Sequence, residues 1–437
     1  MRRAVVGVCC CLGAIACTAR VPPAPTPTGA PAVAAPSASP PPAAVPVGVQ
    51  QIQVAPQAAS AARVIASPSP AALPLAVLAG RSGGDLRVAL DLLLQENAFL
   101  AASSMDAAAS ARLDELIGST SALDQNSLAL AETVGAVRGQ PTAEAVLDAW
   151  RGAMADLVAY AQGQQSSAIA DLDRRRAALA SELAAGDLSE SVADDILRGR
   201  LQSQLALADS IVGRDPTLSA QRLRSLAAGS DDLGGRLAAA LAAQVAELAP
   251  PSTEGGDVEV RVHLTLALQQ HVYLTAAAIA AGADGRLPEQ QVYVAAADQD
   301  AADLGGQLGS VYGADLGTAV ADRLGRETAA FVSAASGGDR QQSASDIDRA
   351  RADLDQLLST VNQMLPPGLL IQQLRASDQP LLTAADAFVA RDFTTAFARV
   401  REAARQAQKP ADTLAVSIVD RYPGRYLVLP TPSPAGR

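Results

Sequence analysis

The sequence predicts an all-α protein: two tandem homologous helical bundles, about five to six helices each, behind a disordered Pro/Ala-rich linker. Three observations predict it. Apolar residues recur at alternating three- and four-residue steps through both halves of the chain. No alternating run of β-branched residues exceeds a few positions. Ordered matches recur at a spacing of 174 residues, from Leu86 to Val260 onward, and read as tandem duplication.

Composition sets the bounds. The 437 residues are 49% hydrophobic and only 3% aromatic, so the cores are built largely from Ala and Leu. A net charge of −11 argues against nucleic acid as a partner, because phosphate neutralisation needs a basic face. All four cysteines, Cys9, Cys10, Cys11 and Cys17, lie within the first seventeen positions. The predicted bundles therefore contain no disulfide, Cys-bound metal or thiol nucleophile.

Arg2 and Arg3 followed by the apolar Ala4 to Ala16 read as a signal peptide over 1–16. Ala14-Ile15-Ala16-Cys17 resembles the lipobox of bacterial lipoproteins, with Ala14 where that pattern usually has Leu. The resemblance implies cleavage before Cys17, acylation of that residue and a lipid anchor on the extracytoplasmic face of the cell membrane. An ordinary secretory signal with an incidental cysteine is the competing reading. Residues 17–82 are Pro, Ala, Val and Ser with almost no charge and are expected to form a disordered tether. In polyproline geometry, at roughly 3.1 Å per residue, some 60 residues reach well over 100 Å.

Repeat 1 is expected over 83–249. Its first helix carries a seam of Leu86, Leu90, Leu93, Asn97, Leu100 and Ser104. The second shows Leu123, Ser127, Leu130, Val134 and Val137 and stops at Gly139. Pro141 and Thr142 open the third, with Trp150, Leu157 and Tyr160; helices near 169–185 and 189–212 follow. The last begins after Asp215-Pro216, an N-cap followed by proline in the first turn. A linker over 250–256 is made of helix-stoppers. Repeat 2 is expected over 257–420, with Asp392 as the matching cap, Lys409-Pro410 marking a kink or boundary, and an irregular tail over 421–437.

The duplication is carried by particular matches. Arg87 recurs as Arg261, Gln95 as Gln269 and Leu100 as Leu274. Asp124-Gln125 recurs as Asp298-Gln299, and Gly135 and Gly139 as Gly309 and Gly313. With one residue of slippage Arg176 meets Arg351, and with three Ala208-Asp209 meets Ala385-Asp386.

Candidate chemistry is sparse. The chain has two histidines, and His271 replaces Asn97 on the inward seam while His263 lies off that face. No three-ligand His/Cys set supports a structural zinc. Asp300 and Asp303 are one helical step apart, and His271 with Asp300 is the metal pair to consider. No cofactor is expected, since Gly-x-Ser-x-Gly, P-loop and dinucleotide-binding turns are all missing from the sequence. The aromatic candidates for a binding hot spot are Trp150, Tyr160, Tyr293, Tyr312 and Phe331, most of them expected in the core. A groove between two bundles is where a peptide or small ligand would lie.

The stretches Leu86-Arg87-Val88 to Phe99-Leu100, and Asp298-Gln299 through Gly309 to Gly313, resemble a helical domain of secreted Gram-positive proteins. That domain can accompany copper amine oxidase N-terminal-like domains. The resemblance implies histidines on several inward faces. Here Ala153, Arg200 and Ala228, and in repeat 2 Thr328, Ser377 and Arg405, stand about where others would fall. It therefore carries over neither copper nor oxidase activity.

The expected function is a cell-surface lipoprotein acting as a non-catalytic binding or scaffolding module. Its partners are the membrane, through the lipid, and a surface protein or peptide. The alternative is a metal- or haem-responsive extracytoplasmic domain using His271, and an outside third is a hydrolase acting through paired carboxylates.

Overall fold

The structure, a computed structural model, describes residues 82–245, Thr253 and residues 255–426. The signal-peptide, lipidation-site and tether assignments, most of the 250–256 linker and the tail beyond Tyr426 lie outside the described residues. Among those residues the chain is all-α.

Repeat 1 comprises α1 (Gly83–Ala109), α2 (Leu113–Arg138), α3 (Gln140–Ala161), α4 (Gln165–Leu183), α5 (Glu190–Val212), α6 (Pro216–Ala228) and α7 (Ser230–Ala242). Repeat 2 comprises α8 (Gly256–Ala283), α9 (Leu287–Tyr312), α10 (Ala314–Ala335), α11 (Arg340–Val361), α12 (Leu369–Val389), α13 (Phe393–Gln406) and α14 (Gln408–Arg421). A single turn, α15 (Pro423–Tyr426), follows. Each repeat has one helix more than periodicity resolves, because Gly229 and Ala407 break the last segment in two without a change of apolar face.

Local chemistry sets the boundaries. Ser82 and Asp85 form a reciprocal capping box at the start of α1. Asp215 accepts from Leu218 N at 2.9 Å, and Asp392 from Thr395 N at 3.1 Å, as the sequence predicts. Gly139 and Gly313, at φ 88° and 109°, both turn the chain between adjacent helices through backbone that L side chains rarely adopt.

The two repeats have the same internal packing. α1 is wrapped by α2, α3, α5, α6 and α7, and α8 is wrapped by α9, α10, α12, α13 and α14. This explains why the predicted seam on α1 understates its burial: Val88, Ala98 and Met105 are buried as fully as Leu90. A helix enclosed by others needs no polar stripe. α8 is long and apolar enough to cross a membrane, but 83% of its apolar window is buried inside the fold. It is a core helix by location.

The repeats pack against each other about a local pseudo-two-fold axis. α1 meets α8; α2 meets α13, and the equivalent pair α9 and α6 meets likewise. Residues that match in sequence meet at the axis. Phe99 stacks on its counterpart Tyr273 at 5.0 Å and 8° between planes. Val88 and Leu92 cluster with their counterparts Val262 and Leu266. Arg87 reaches Glu259 at 2.6 Å, and its counterpart Arg261 reaches Asp85. Matching partners across one interface define an isologous contact, as in a homodimer. The face between the repeats is thus packed, with a cavity of only about 50 Å³ beside Phe99 and Tyr273.

Close helix approach depends on glycine where α9 meets α10. A Cβ on Gly305 would overlap the backbone of Gly317, and the reverse holds. Gly317→Ala is expected to cost about 1–3 kcal/mol in chemical unfolding. Gly306→Ala on the open side of α9, where an added Cβ meets nothing, should instead stabilise by about 0.5–1 kcal/mol through helix propensity.

Candidate functional site

The unusual chemistry lies inside each repeat, at positions that correspond between the two. In repeat 2, α8 presents His271, 4% exposed, and α9 presents Asp300, 2% exposed. His271 Nδ1 lies 3.6 Å from Asp300 Oδ2, and neither atom has a hydrogen-bond partner. Asp300 Oδ1 accepts from Gln270 at 2.6 Å, and His271 Nε2 lies 3.2 Å from Thr328 Oγ1. The structure therefore brings together the pair singled out in the sequence. Asp303 does not join it, but faces outward and binds Arg224 Nη2 at 2.6 Å.

Between α10, α11 and α12 lies an ion cluster that sequence reading missed. Arg351 binds Glu327, and also Asp378 at 3.0 Å, all three buried. Burial pushes the Glu327 carboxyl up to about 7, with Arg351 opposing the rise and Asp378 adding to it. Burial likewise raises the Asp378 carboxyl. With Glu327 held by Arg351, a metal between His271 and Asp300 would have those two protein donors at hand.

In repeat 1 the counterparts of these residues are different. Asn97 replaces His271 and contacts Asn126 and Met154, the counterparts of Asp300 and Thr328. Ala153 and Leu201 stand where Glu327 and Asp378 are, while Arg176 keeps the place of Arg351. Arg200, at the position of Ser377, points inward from α5 and is 9% exposed. It donates to Leu94 O at 2.8 Å and lies near Ser230 Oγ and Asn97 Oδ1 at 3.4 and 3.5 Å. No carboxylate pairs with it among the described residues. Burial alone pulls its guanidinium down to about 10, so it remains a cation at neutral pH.

Beside Arg200, between α3, α4 and α5, is a cavity of about 30 Å³ lined by Trp150, Arg176, Leu197 and Gln204 among others. Trp150 Nε1, Arg200 Nε and Gln204 Nε2 are buried donors without an acceptor. Arg176, by contrast, is shared with Asp173 and Asp194.

A third cluster lies where α1, α7 and α8 meet. Asp231, Glu259 and the half-exposed His263 place three donor atoms within 4.8 Å of one another. The position already holds a cation: Arg87 binds Glu259 at 2.6 Å and Asp231 at 2.7 Å. Burial pulls the Arg87 guanidinium down, but these two acids outweigh it and hold it above its usual value. Asp91 lies behind it with both carboxylate oxygens lacking a hydrogen-bond partner, 3.6 Å from Arg87 Nε. Burial first, then the charges of Asp231 and Glu259, push its carboxyl up to about 9, against the pull of Arg87.

A raised carboxyl means that the folded protein holds a proton the unfolded chain releases between pH 4 and 9. Stability should therefore fall as pH rises through that window. Asp91→Asn removes the proton uptake and leaves Arg87 its other two acids. It is expected to stabilise by about 1–3 kcal/mol at pH 7. Urea unfolding at pH 5, 7 and 8.5 should show the gain growing with pH; a loss at every pH would contradict it.

Of the aromatic candidates, Trp150, Tyr160 and Phe331 are buried, and Tyr293 and Tyr312 are partly so. Tyr160 donates to Asp209 at 2.6 Å. No protein-family model matches the chain, and neither the curated proteins nor the solved structures contain a significant match.

Proposed function

We propose that the chain is a non-catalytic binding or scaffolding protein, held on the extracytoplasmic face of the cell membrane by a lipid on Cys17. The observation that carries the binding reading is the repeat 1 cavity, with its unmet donors from Trp150, Arg200 and Gln204. Indole, guanidinium and amide N–H groups recognise an acceptor but do not serve as nucleophile or general base near neutral pH. Trp150 on α3 and Arg200 and Gln204 on α5 sit on packed helices, which favours a preformed site over one assembled on closure. The lipobox-like Ala14-Ile15-Ala16-Cys17 supports the location, and the Pro/Ala-rich stretch behind it suits a spacer.

Two experiments test the two halves of this reading. Labelled palmitate fed to expressing bacteria should appear on the wild-type chain and vanish from Cys17→Ser. Label on both, or on neither, would remove the anchor. A thermal-shift screen of the full chain against small cations, neutral polyols and organic anions should yield at least one saturable stabiliser. A screen in which no class stabilises would sink the binding reading.

A second reading, a metal-responsive domain, is favoured by one observation: His271 Nδ1 and Asp300 Oδ2 face each other without hydrogen-bond partners. Elemental analysis of chain purified without chelator decides it. A stoichiometric metal lost in His271→Ala would favour this reading over the first.

A further inference from the structure

We infer that the repeat 1 cavity binds the carboxylate group of a small organic acid, at a place that repeat 2 fills with its own side chains. The inference rests on the binding reading above and names its ligand class. The two repeats supply an internal comparison. Between α10 and α12, Glu327 and Asp378 bring carboxylates to Arg351. At the same positions in repeat 1 the acids are gone, as Ala153 and Leu201, and the base is kept as Arg176. A second base, Arg200, is added where repeat 2 has Ser377. The space left is the cavity of about 30 Å³.

Charge and hydrogen bonding agree on the occupant. A guanidinium as deeply buried as Arg200 is costly to leave without a counter-ion, and neither Asp173 nor Asp194, which share Arg176, pairs with it. The unmet groups on the wall, Trp150 Nε1, Arg200 Nε and Gln204 Nε2, are all donors. An ionised carboxylate is acceptor-only and forms its strongest hydrogen bonds with guanidinium. A cation would meet repulsion. A cavity needs on the order of 10–15 Å³ to hold one water, so this one suits a headgroup of two oxygens. Leu172, Leu179 and Leu197 on the same wall suit a short alkyl stem.

Trp150 is the chain's single tryptophan and lines the cavity, so its emission reports occupancy directly. The full chain is titrated with acetate, propionate and butyrate, with chloride and bromide, and with acetamide, the neutral isostere of acetate. The expected result is a saturable change with at least one carboxylate and none with acetamide. Arg200→Met, which deletes the uncompensated cation, should weaken binding by at least about tenfold. Ala153→Glu installs the repeat 2 carboxylate, and should abolish the response while raising the melting temperature.

Several outcomes would overturn the inference: no carboxylate response from a folded chain, a response to chloride or bromide alone, or Ala153→Glu binding with wild-type affinity. An equal response to acetamide would overturn the carboxylate but leave a ligand site. The binding reading itself falls only if the wider thermal-shift screen is empty.

Discussion

Glu96→Ala is expected to destabilise the protein by about 3–5 kcal/mol, the range for breaking a buried ion pair by removing one partner. Glu96 on α1 accepts from Arg401 Nε on α13 at 2.8 Å, from Tyr273 Oη on α8 at 2.8 Å and from Asn126 on α2 at 2.8 Å. One carboxylate from repeat 1 thus satisfies two groups of repeat 2, and both are buried. Its removal strands the Arg401 guanidinium, which would keep only Gln125 Oε1 at 2.6 Å. The double change Glu96→Leu with Arg401→Leu should recover part of the loss, since no charge is then left buried and unpaired, while Tyr273 Oη still lacks its acceptor. Denaturant midpoints of Glu96→Ala and of the double variant measure this. A loss near zero in Glu96→Ala would mean that the repeats do not depend on this contact.

Arg351→Met is expected to cost a similar amount, about 3–5 kcal/mol at pH 8, because it leaves Glu327 and Asp378 buried without their cation. Both carboxyls already sit above their usual range, and without Arg351 both should rise further. The folded variant then binds protons that the unfolded chain releases above about pH 4, so its stability should increase as pH falls toward 5. Arg176→Met, at the matching place in repeat 1, should cost under about 1 kcal/mol, because its acidic partners Asp173 and Asp194 reach solvent. Equal losses at the two positions would contradict the asymmetry between the interiors.

Much of the fold is legible in the sequence because the repeat is. Gly139 and Gly313, and Asp215 and Asp392, each have one local reason for their place, and the chain states it twice. The mutual burial of the repeats is less legible. Alanine-rich helices present several equally apolar faces, so periodicity shows that α1 and α8 are buried without showing that they meet each other. Phe99 and Tyr273 signal the axis only once the two copies are superimposed.

Of the site, His271 is legible through its inward register and Asp300 through its place in a run of carboxylates, and the structure sets them together. The Glu327–Arg351–Asp378 cluster is not, since it joins three helices and each residue alone resembles a solvated charge. Arg200 is singled out in the sequence only as a position lacking a histidine. Its significance depends on the acids missing around it, and that pattern appears when repeat 1 is aligned with repeat 2 in space.

The claim on which the rest depends is that the two copies form one body around α1 and α8, so that their interiors can differ without either half standing alone. Equilibrium unfolding of the full chain, followed at once by Trp150 fluorescence and far-UV circular dichroism, tests it most directly. Trp150 reports repeat 1 and dichroism reports both repeats. One body requires a single transition with coincident midpoints by the two probes. Two transitions, with the fluorescence change confined to one of them, would mean independent bundles and would contradict the account.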